Sequence, residues 1–188
     1  KFLVTDLDLF TRYRQSMEIA GYRLGDYREV YVTDEYLDTE QHDIWDAGFR
    51  LRVRECSGKH SITVKSAHSQ HAQFSVRDQI EFPVSSETDV EHWGNAEARA
   101  LIESLVQGRK LRTSVQLRQI RGQRDIFLRK TQVAMLSLDQ VEVRRNEEHL
   151  DQFHVLEVEL LPRVGHNVLK DITRHLQMDG LIPQTVAK

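Results

Sequence analysis

The hexapeptide Phe49-Arg50-Leu51-Arg52-Val53-Arg54 constrains the fold more than any other stretch. Successive side chains of a strand point to opposite faces, so three arginines share one face in steps of about 7 Å while three apolar residues cover the other. Eleven residues after Arg54, Lys65 ends a second β-rich run, Ser61 to Lys65, in the same kind of position. A row of parallel positive charges repels itself unless carboxylates of the protein or a polyanionic ligand neutralise it. Both possibilities stay open at this point.

A chain of 188 residues suits a single domain with a full core. The formal net charge of −3 lacks the basic excess of a nucleic-acid binder, so a nucleic-acid partner is not expected. One cysteine, Cys56, excludes an internal disulfide and fits a reducing, cytoplasmic setting. No apolar run reaches membrane-spanning length and no signal peptide is visible, so no membrane partner is expected. The first residue is Lys1 rather than methionine, which leaves room for a start upstream.

The periodicities predict strands punctuated by three helices. The first helix spans Thr5 to Ala20, with Phe10, Tyr13 and Met17 on one side, a Thr-x-x-Asp start and Gly21 as the stop. Tyr27 to Asp38 reads as a strand, and a turn at Trp45-Asp46-Ala47-Gly48 leads into the arginine strand. A hairpin at Ser57-Gly58-Lys59 follows, then polar residues His68 to Ala72 and a strand from Phe74 to Val84. Asn95 is expected to cap a second helix bearing Leu101, Ile102, Leu105 and Val106 and stopped by Gly108. Leu111 to Arg121, Asp125 to Lys130, Val133 to Val143 and Phe153 to Leu161 read as strands. Val168, Leu169, Ile172 and Leu176 mark a third helix before Gly180.

Several strands pair an apolar face with a charged one. Glu157 and Glu159 alternate against Leu156, Val158 and Leu160, and Ser137 and Asp139 lie opposite Leu136 and Leu138. A sandwich with solvated outer faces explains any single strand of this kind. The charges are sorted by sign, however, and three amphipathic helices need an apolar sheet surface to cover. An α+β fold built on a barrel with a charged interior and helices outside satisfies both conditions. The Glu157-x-Glu159 pair can hold a hard cation through oxygen, and Mg²⁺ or Mn²⁺ suits it better than Zn²⁺ because the nine histidines show no ligand spacing. Arginine forks grip phosphate oxygens bidentately, so acidic pair, metal and arginine row together suit a chain of phosphates.

The order Tyr36-Leu37-Asp38-Thr39, Leu51-Arg52-Val53-Arg54, Thr63-Val64-Lys65, Arg77-x-Gln79-x-Glu81, Leu138-Asp139-x-Val141 and Glu157-x-Glu159 resembles the CYTH superfamily of triphosphate tunnel metalloenzymes, along essentially the whole chain. That family includes thiamine triphosphatases, inorganic triphosphatases and class IV adenylate cyclases. The resemblance implies an eight-stranded antiparallel barrel open as a tunnel, formed by one domain over residues 1–188 that is truncated at both ends. It implies metal-dependent hydrolysis of an inorganic or simple organic triphosphate. Phosphate binding falls to Arg52, Arg54, Lys65, Arg77, Arg118, Arg121 and Lys188, and Mg²⁺ or Mn²⁺ to Glu81, Asp139, Glu157 and Glu159. Lys1 matches the lysine of an N-terminal E-x-E-x-K motif and, with Arg121, takes a catalytic role. A fused helical CHAD domain beyond the C-terminus is a partner seen in bacterial relatives. Arg50 is expected at the tunnel mouth, Tyr36 and Asp38 in turn-shaping hydrogen bonds, and Trp45 and Phe49 in the core.

Two departures from the pattern bear on activity. Gln79 replaces the central glutamate of R-x-E-x-E, and a glutamine replaces the lysine of K-x-R, with either Gln116-x-Arg118 or Gln119-x-Arg121 in register. Phosphate binding survives these changes, whereas water activation loses a basic group. A non-catalytic polyphosphate- or nucleotide-binding module is therefore the second reading. Adenylate cyclisation finds no residue set in the sequence to support it, and a sandwich with ion-paired surface strands ranks last.

Overall fold

The computed structural model describes residues 1–66, 79–85 and 89–184. Arg77 and Lys188, and residues 74–78 of the strand expected from Phe74, lie outside the described residues. Along the chain run β1 (Phe2–Val4), α1 (Leu7–Gln15), β2 (Glu18–Ile19), β3 (Tyr22–Leu24), β4 (Arg28–Asp38), α2 (Asp43–Asp46), β5 (Phe49–Cys56) and β6 (Lys59–Ser66). There follow β7 (Gln79–Val84), α3 (Ala96–Val106), β8 (Arg112–Leu128), β9 (Thr131–Arg145), β10 (Glu148–Leu160), α4 (His166–Met178) and β11 (Ile182–Pro183). Among the described residues the strands form one sheet of order β11-β1-β10-β9-β8-β4-β5-β6-β7, with the β2–β3 hairpin attached to β8. The pairings of β1 with β10 and β11, β2 with β3, β3 with β8, β4 with β5, β5 with β6 and β6 with β7 are antiparallel.

Short turns set this antiparallel order. Ser57 and Gly58 both take positive φ, the conformation a two-residue hairpin needs, and they bring Cys56 opposite Lys59. Ala20–Gly21 and Asn146–Glu147 do the same at two further hairpins. Two residues cannot cross over to a parallel neighbour, so β9 and β10 run antiparallel as well.

The chain divides into two compact units, each with its own core. The first comprises Lys1–Tyr31, Gln119–Glu142 and the chain from Gln152 through α4. Its core joins Leu9 and Tyr13 of α1, Leu136 and Leu138 of β9, Leu156 and Val158 of β10, and Val168, Ile172 and Leu176 of α4. The second unit comprises Val32–Arg118 with Val143–Asp151. There Leu51 and Val53 of β5, Ile62 and Val64 of β6 and Phe82 of β7 pack against Ala98, Ile102 and Val106 of α3 and against Trp93. In both units the apolar face expected from alternation is the face that helices cover.

Four expectations need correction. Helix α1 starts from Asp6, whose carboxylate accepts from Asp8 N and Leu9 N, and stops at Ser16. Met17 is consequently 73% exposed and plays no part in the core, and the chain turns into the β2–β3 hairpin instead of continuing as helix. The two strands expected around Gly122 form the single strand β8. A Cβ at Gly122 would stand 2.3 Å from the Tyr27 ring, so this glycine admits a tyrosine and does not break the strand. Trp45, expected in the core, is 56% exposed. Finally, a short helix, α2, precedes the arginine strand where only a turn was anticipated. The Asn95 cap, by contrast, stands as expected, with Oδ1 accepting from Ala98 N at 2.9 Å.

Candidate functional site

In the second unit the ladder register assembles a polar face across four strands. Tyr36 lies opposite Arg52, Arg52 opposite Thr63, and Thr63 opposite Glu81. One row along, Asp34 faces Arg54 and Arg54 faces Ser61; in the other direction Arg50 faces Lys65 and Lys65 faces Gln79. Cross-strand partners share a face, so Arg50, Arg52, Arg54, Lys65, Gln79 and Glu81 all project from the side opposite the helix-covered core.

Asp34, which the sequence reading passed over, is the internal counter-charge. It is only 2% exposed and accepts from Arg54 Nε at 2.6 Å and from a terminal nitrogen of Arg54 at 2.7 Å, the bidentate fork geometry. Arg52 approaches the same carboxylate at 3.6 Å. Its alternating place in Asp34-x-Tyr36-x-Asp38 was the available signal, since that spacing sets Asp34 on the face of Tyr36. Burial works against the Arg54 charge, but hydrogen bonding to Asp34 and its field prevail and raise the pKa. Burial likewise raises the pKa of the Tyr36 phenol, opposed by the positive field of Arg52.

Arg52 is the most enclosed base of the row, at 8% exposure. One terminal nitrogen donates to Thr63 Oγ1 at 3.0 Å, while its buried Nε meets no hydrogen-bond acceptor among the described residues. A guanidinium presents five donors in a fixed fork, and one of those held here has no acceptor. Arg50 lies over the Trp45 ring, 3.1 Å from its centroid. Asp38 serves the turn as expected, accepting from the backbone of Thr39, Ile44 and Trp45 at 2.8–3.0 Å. Arg118 is exposed and donates to Gln116 and Glu147.

In the first unit the same alternation sorts acids. Ser137 and Asp139, both nearly fully buried, occupy the face of β9 opposite Leu136 and Leu138. Arg121 grips Asp139 bidentately at 2.8 and 2.7 Å, and Gln119 is buried two residues before it. Of the two candidate pairs, Gln119-x-Arg121 carries the Asp139 contact and Gln116-x-Arg118 does not. On β10, Glu157 and Glu159 share a face. Lys1 adjoins this strand, because the next residue, Phe2, pairs with Leu156.

Among the described residues no group of three or more His, Cys, Asp or Glu side chains stands ready to hold a metal. Asp139 is committed to Arg121, which leaves Glu157 and Glu159 as the acidic pair of that unit. Two carboxylates suffice for Mg²⁺, which keeps several waters and completes its shell with substrate phosphates. The donor set fits that ion.

The architecture is one of antiparallel strands with charged faces on one side and helices covering the apolar faces on the other. The CYTH domain model matches residues 1–180, and the chain belongs to the CYTH family. Among solved structures it is similar to a candidate adenylate cyclase from Bacillus halodurans, at 14% identity and TM-score 0.59 over 97% of this chain and 90% of that one. A candidate adenylyl cyclase from Hippeastrum, whose dominant activity is that of a triphosphatase, aligns at 13% identity and TM-score 0.56 over 96% and 85%. A protein from Pyrococcus horikoshii aligns at 15% identity and TM-score 0.52 over 94% and 84%. At these identities the likeness speaks for fold. No curated protein matches the sequence. Among the described residues no helix is long and apolar enough to cross a membrane.

Proposed function

We propose that this chain hydrolyses a triphosphate, inorganic or simple organic, in a reaction dependent on Mg²⁺ or Mn²⁺. The observation that carries the reading is the buried Arg52 fork, whose Nε meets no acceptor among the described residues, on one face with Arg54 and Lys65. Such a face binds phosphate oxygens, since each arginine offers charge and directed donors together. Membership of the CYTH family and the triphosphatase activity of the Hippeastrum protein support the same reading.

Arg52, Arg54 and Lys65 would hold phosphate oxygens and stabilise the charge that develops on them, which is most of what phosphoryl transfer asks of a protein. Water attacks the terminal phosphorus in line; its O–P bond forms as the bridging P–O bond breaks, and a proton leaves to solvent. Tripolyphosphate yields pyrophosphate and phosphate. Glu157 and Glu159 are the residues that would carry the metal, which when bound neutralises phosphate charge. Lys1 and Arg121 keep the catalytic and phosphate-binding roles that the family pattern gives them, with Asp139 orienting Arg121. Arg77, Arg118 and Lys188 are proposed as further phosphate contacts, and Glu81 as a further metal ligand, with Asp139 supporting the metal only through water while it holds Arg121.

A second reading, a triphosphate-binding module without turnover, is favoured by one specific set of contacts. Two of the buried acids, Asp34 and Asp139, are already spent on arginines, and Gln79 and Gln119 bring no charge. Phosphate release from tripolyphosphate, with and without Mg²⁺ or Mn²⁺, separates the two. The hydrolase reading expects metal-dependent release that Glu159→Ala abolishes and Arg52→Ala weakens chiefly through KM. Tripolyphosphate binding without release would leave the module.

A further inference from the structure

Apart from the arginine face, the second unit carries a hollow of about 430 Å³ beside α2, in the lower part of the range of small-molecule sites. Trp45 and Asp46 line it from α2, Val115 from β8 and Arg145 from the end of β9. We propose that this hollow binds a free amino acid with a large apolar side chain. Its carboxylate lies on Arg145, its ammonium on Asp46 and its side chain on Trp45. The proposal stands on these residues and needs nothing of the triphosphate reading.

The charges of the hollow point to a zwitterion. Four acids fall between Asp38 and Asp46, and three of them have partners. Asp38 binds the amides of Thr39, Ile44 and Trp45, Glu40 pairs with Arg112, and Asp43 pairs with Arg109. The Asp46 carboxylate meets no donor among the described residues. Arg145 is its counterpart. Arg112, Arg118 and Arg144 each pair with a carboxylate. Arg145 donates only through Nε, to Ser114 O at 3.3 Å, and its terminal nitrogens meet no acceptor among the described residues. Asp46 and Arg145 thus line one hollow without pairing with each other. A molecule that carries both an ammonium and a carboxylate gains a charge-assisted hydrogen bond at each end. A phosphate chain would instead meet the carboxylates of Asp38 and Asp46.

The rest of the wall selects the side chain. Trp45 is 56% exposed, so its large apolar surface is there for an occupant to cover. Arg50 sits on one face of the indole, 3.1 Å from the ring centroid, which leaves the other face and the edge. Val115 extends the apolar surface. The frame is also held in place. The three amide bonds to Asp38 fix the loop that presents the indole, and Arg50 donates to Phe49 O at 2.6 Å. A site already ordered in this way loses little freedom on binding.

Titration calorimetry on the full chain tests each contact with L-phenylalanine, L-leucine, L-alanine, phenylalaninamide and N-acetylphenylalanine. L-phenylalanine and L-leucine are expected to bind saturably, and L-alanine roughly tenfold more weakly for want of apolar surface. Each blocked form should bind about tenfold more weakly than L-phenylalanine, since each lacks one charged end. Arg145→Gln should weaken L-phenylalanine about tenfold and leave phenylalaninamide unchanged. Asp46→Asn should weaken L-phenylalanine to a similar extent and leave N-acetylphenylalanine unchanged. With excitation confined to tryptophan, L-phenylalanine should also alter the emission of exposed Trp45. That change should vanish in Trp45→Phe, where buried Trp93 alone emits. Absence of saturable binding by L-phenylalanine and L-leucine would overturn the site, as would equal affinities for the free and blocked forms. An emission change that survives Trp45→Phe would place the ligand elsewhere and overturn it too.

Discussion

Asp34 is the residue on which the arginine face depends. Its carboxylate is 2% exposed and satisfies Arg54 bidentately while Arg52 stands nearby. Removing one partner of an enclosed pair leaves the other charge uncompensated, which costs about 3–5 kcal/mol in buried cases. Asp34→Asn keeps the shape and removes the charge, so a loss toward the lower end, about 3 kcal/mol, is expected in chemical unfolding. A bound polyanion would return the missing counter-charge. Tripolyphosphate should therefore raise the melting temperature of Asp34→Asn more than that of the unsubstituted chain, as differential scanning fluorimetry would read. An equal rise in both would mean that the ligand does not reach these arginines. The same residue marks where sequence reasoning stopped. Three arginines in strict alternation announce a face, whereas one aspartate among the acids of β4 gains meaning only when the register sets it opposite Arg54.

At the scale of elements, patterning was legible wherever one face of a strand is apolar and helices cover it. Leu136 and Leu138 against Ser137 and Asp139 is such a case, and so is the whole of β5. What escaped was decided by tertiary contact. The end of α1 is fixed by Arg124, a buried cation from β8 that donates to the carbonyls of Tyr13, Arg14, Ser16 and Gly25. No local pattern announces a partner more than a hundred residues away. A second distant contact joins α1 to α4: Asp179, just past the end of α4, accepts from Arg12 and Tyr13 of α1, with His175 at 3.9 Å. These contacts hold the Asp179 carboxyl below its ordinary value of 3.8 against the opposing effect of burial. Burial, aided by Asp179, holds the Tyr13 phenol above its ordinary 10.0. A depressed acid stabilises the fold above its unfolded pKa and loses that contribution as pH falls through the folded value; a raised phenol stabilises below pH 10 and loses it as pH rises. The clamp should thus contribute across a plateau from about pH 4 to 10. Urea midpoints measured against pH should fall at both ends, and Tyr13→Phe should flatten the alkaline fall while leaving an acid one. An unchanged alkaline limb in Tyr13→Phe would assign that limb to other groups.

On the scale of the whole molecule, the formal charge of −3 and the proposed polyanionic ligand seem opposed only if charge is averaged. At physiological ionic strength the field of an exposed charge fades within about 8 Å, so the sum over the surface matters less than the arrangement within one face. Arg52, Arg54 and Lys65 lie within two strand steps of one another, whereas a duplex needs cations spread along its phosphates. On the triphosphate reading, that concentration predicts selectivity for short phosphate chains over nucleic acid. Tripolyphosphate at a hundredfold excess over its dissociation constant should stabilise the chain by about 2.7 kcal/mol. For a protein of this length that is a rise in melting temperature of roughly 5–10 °C. Duplex DNA at the same phosphate concentration should give no rise, and Arg52→Ala should abolish the response to tripolyphosphate. A comparable rise with DNA would mean that a diffuse basic surface, and not the enclosed arginine face, binds the anion.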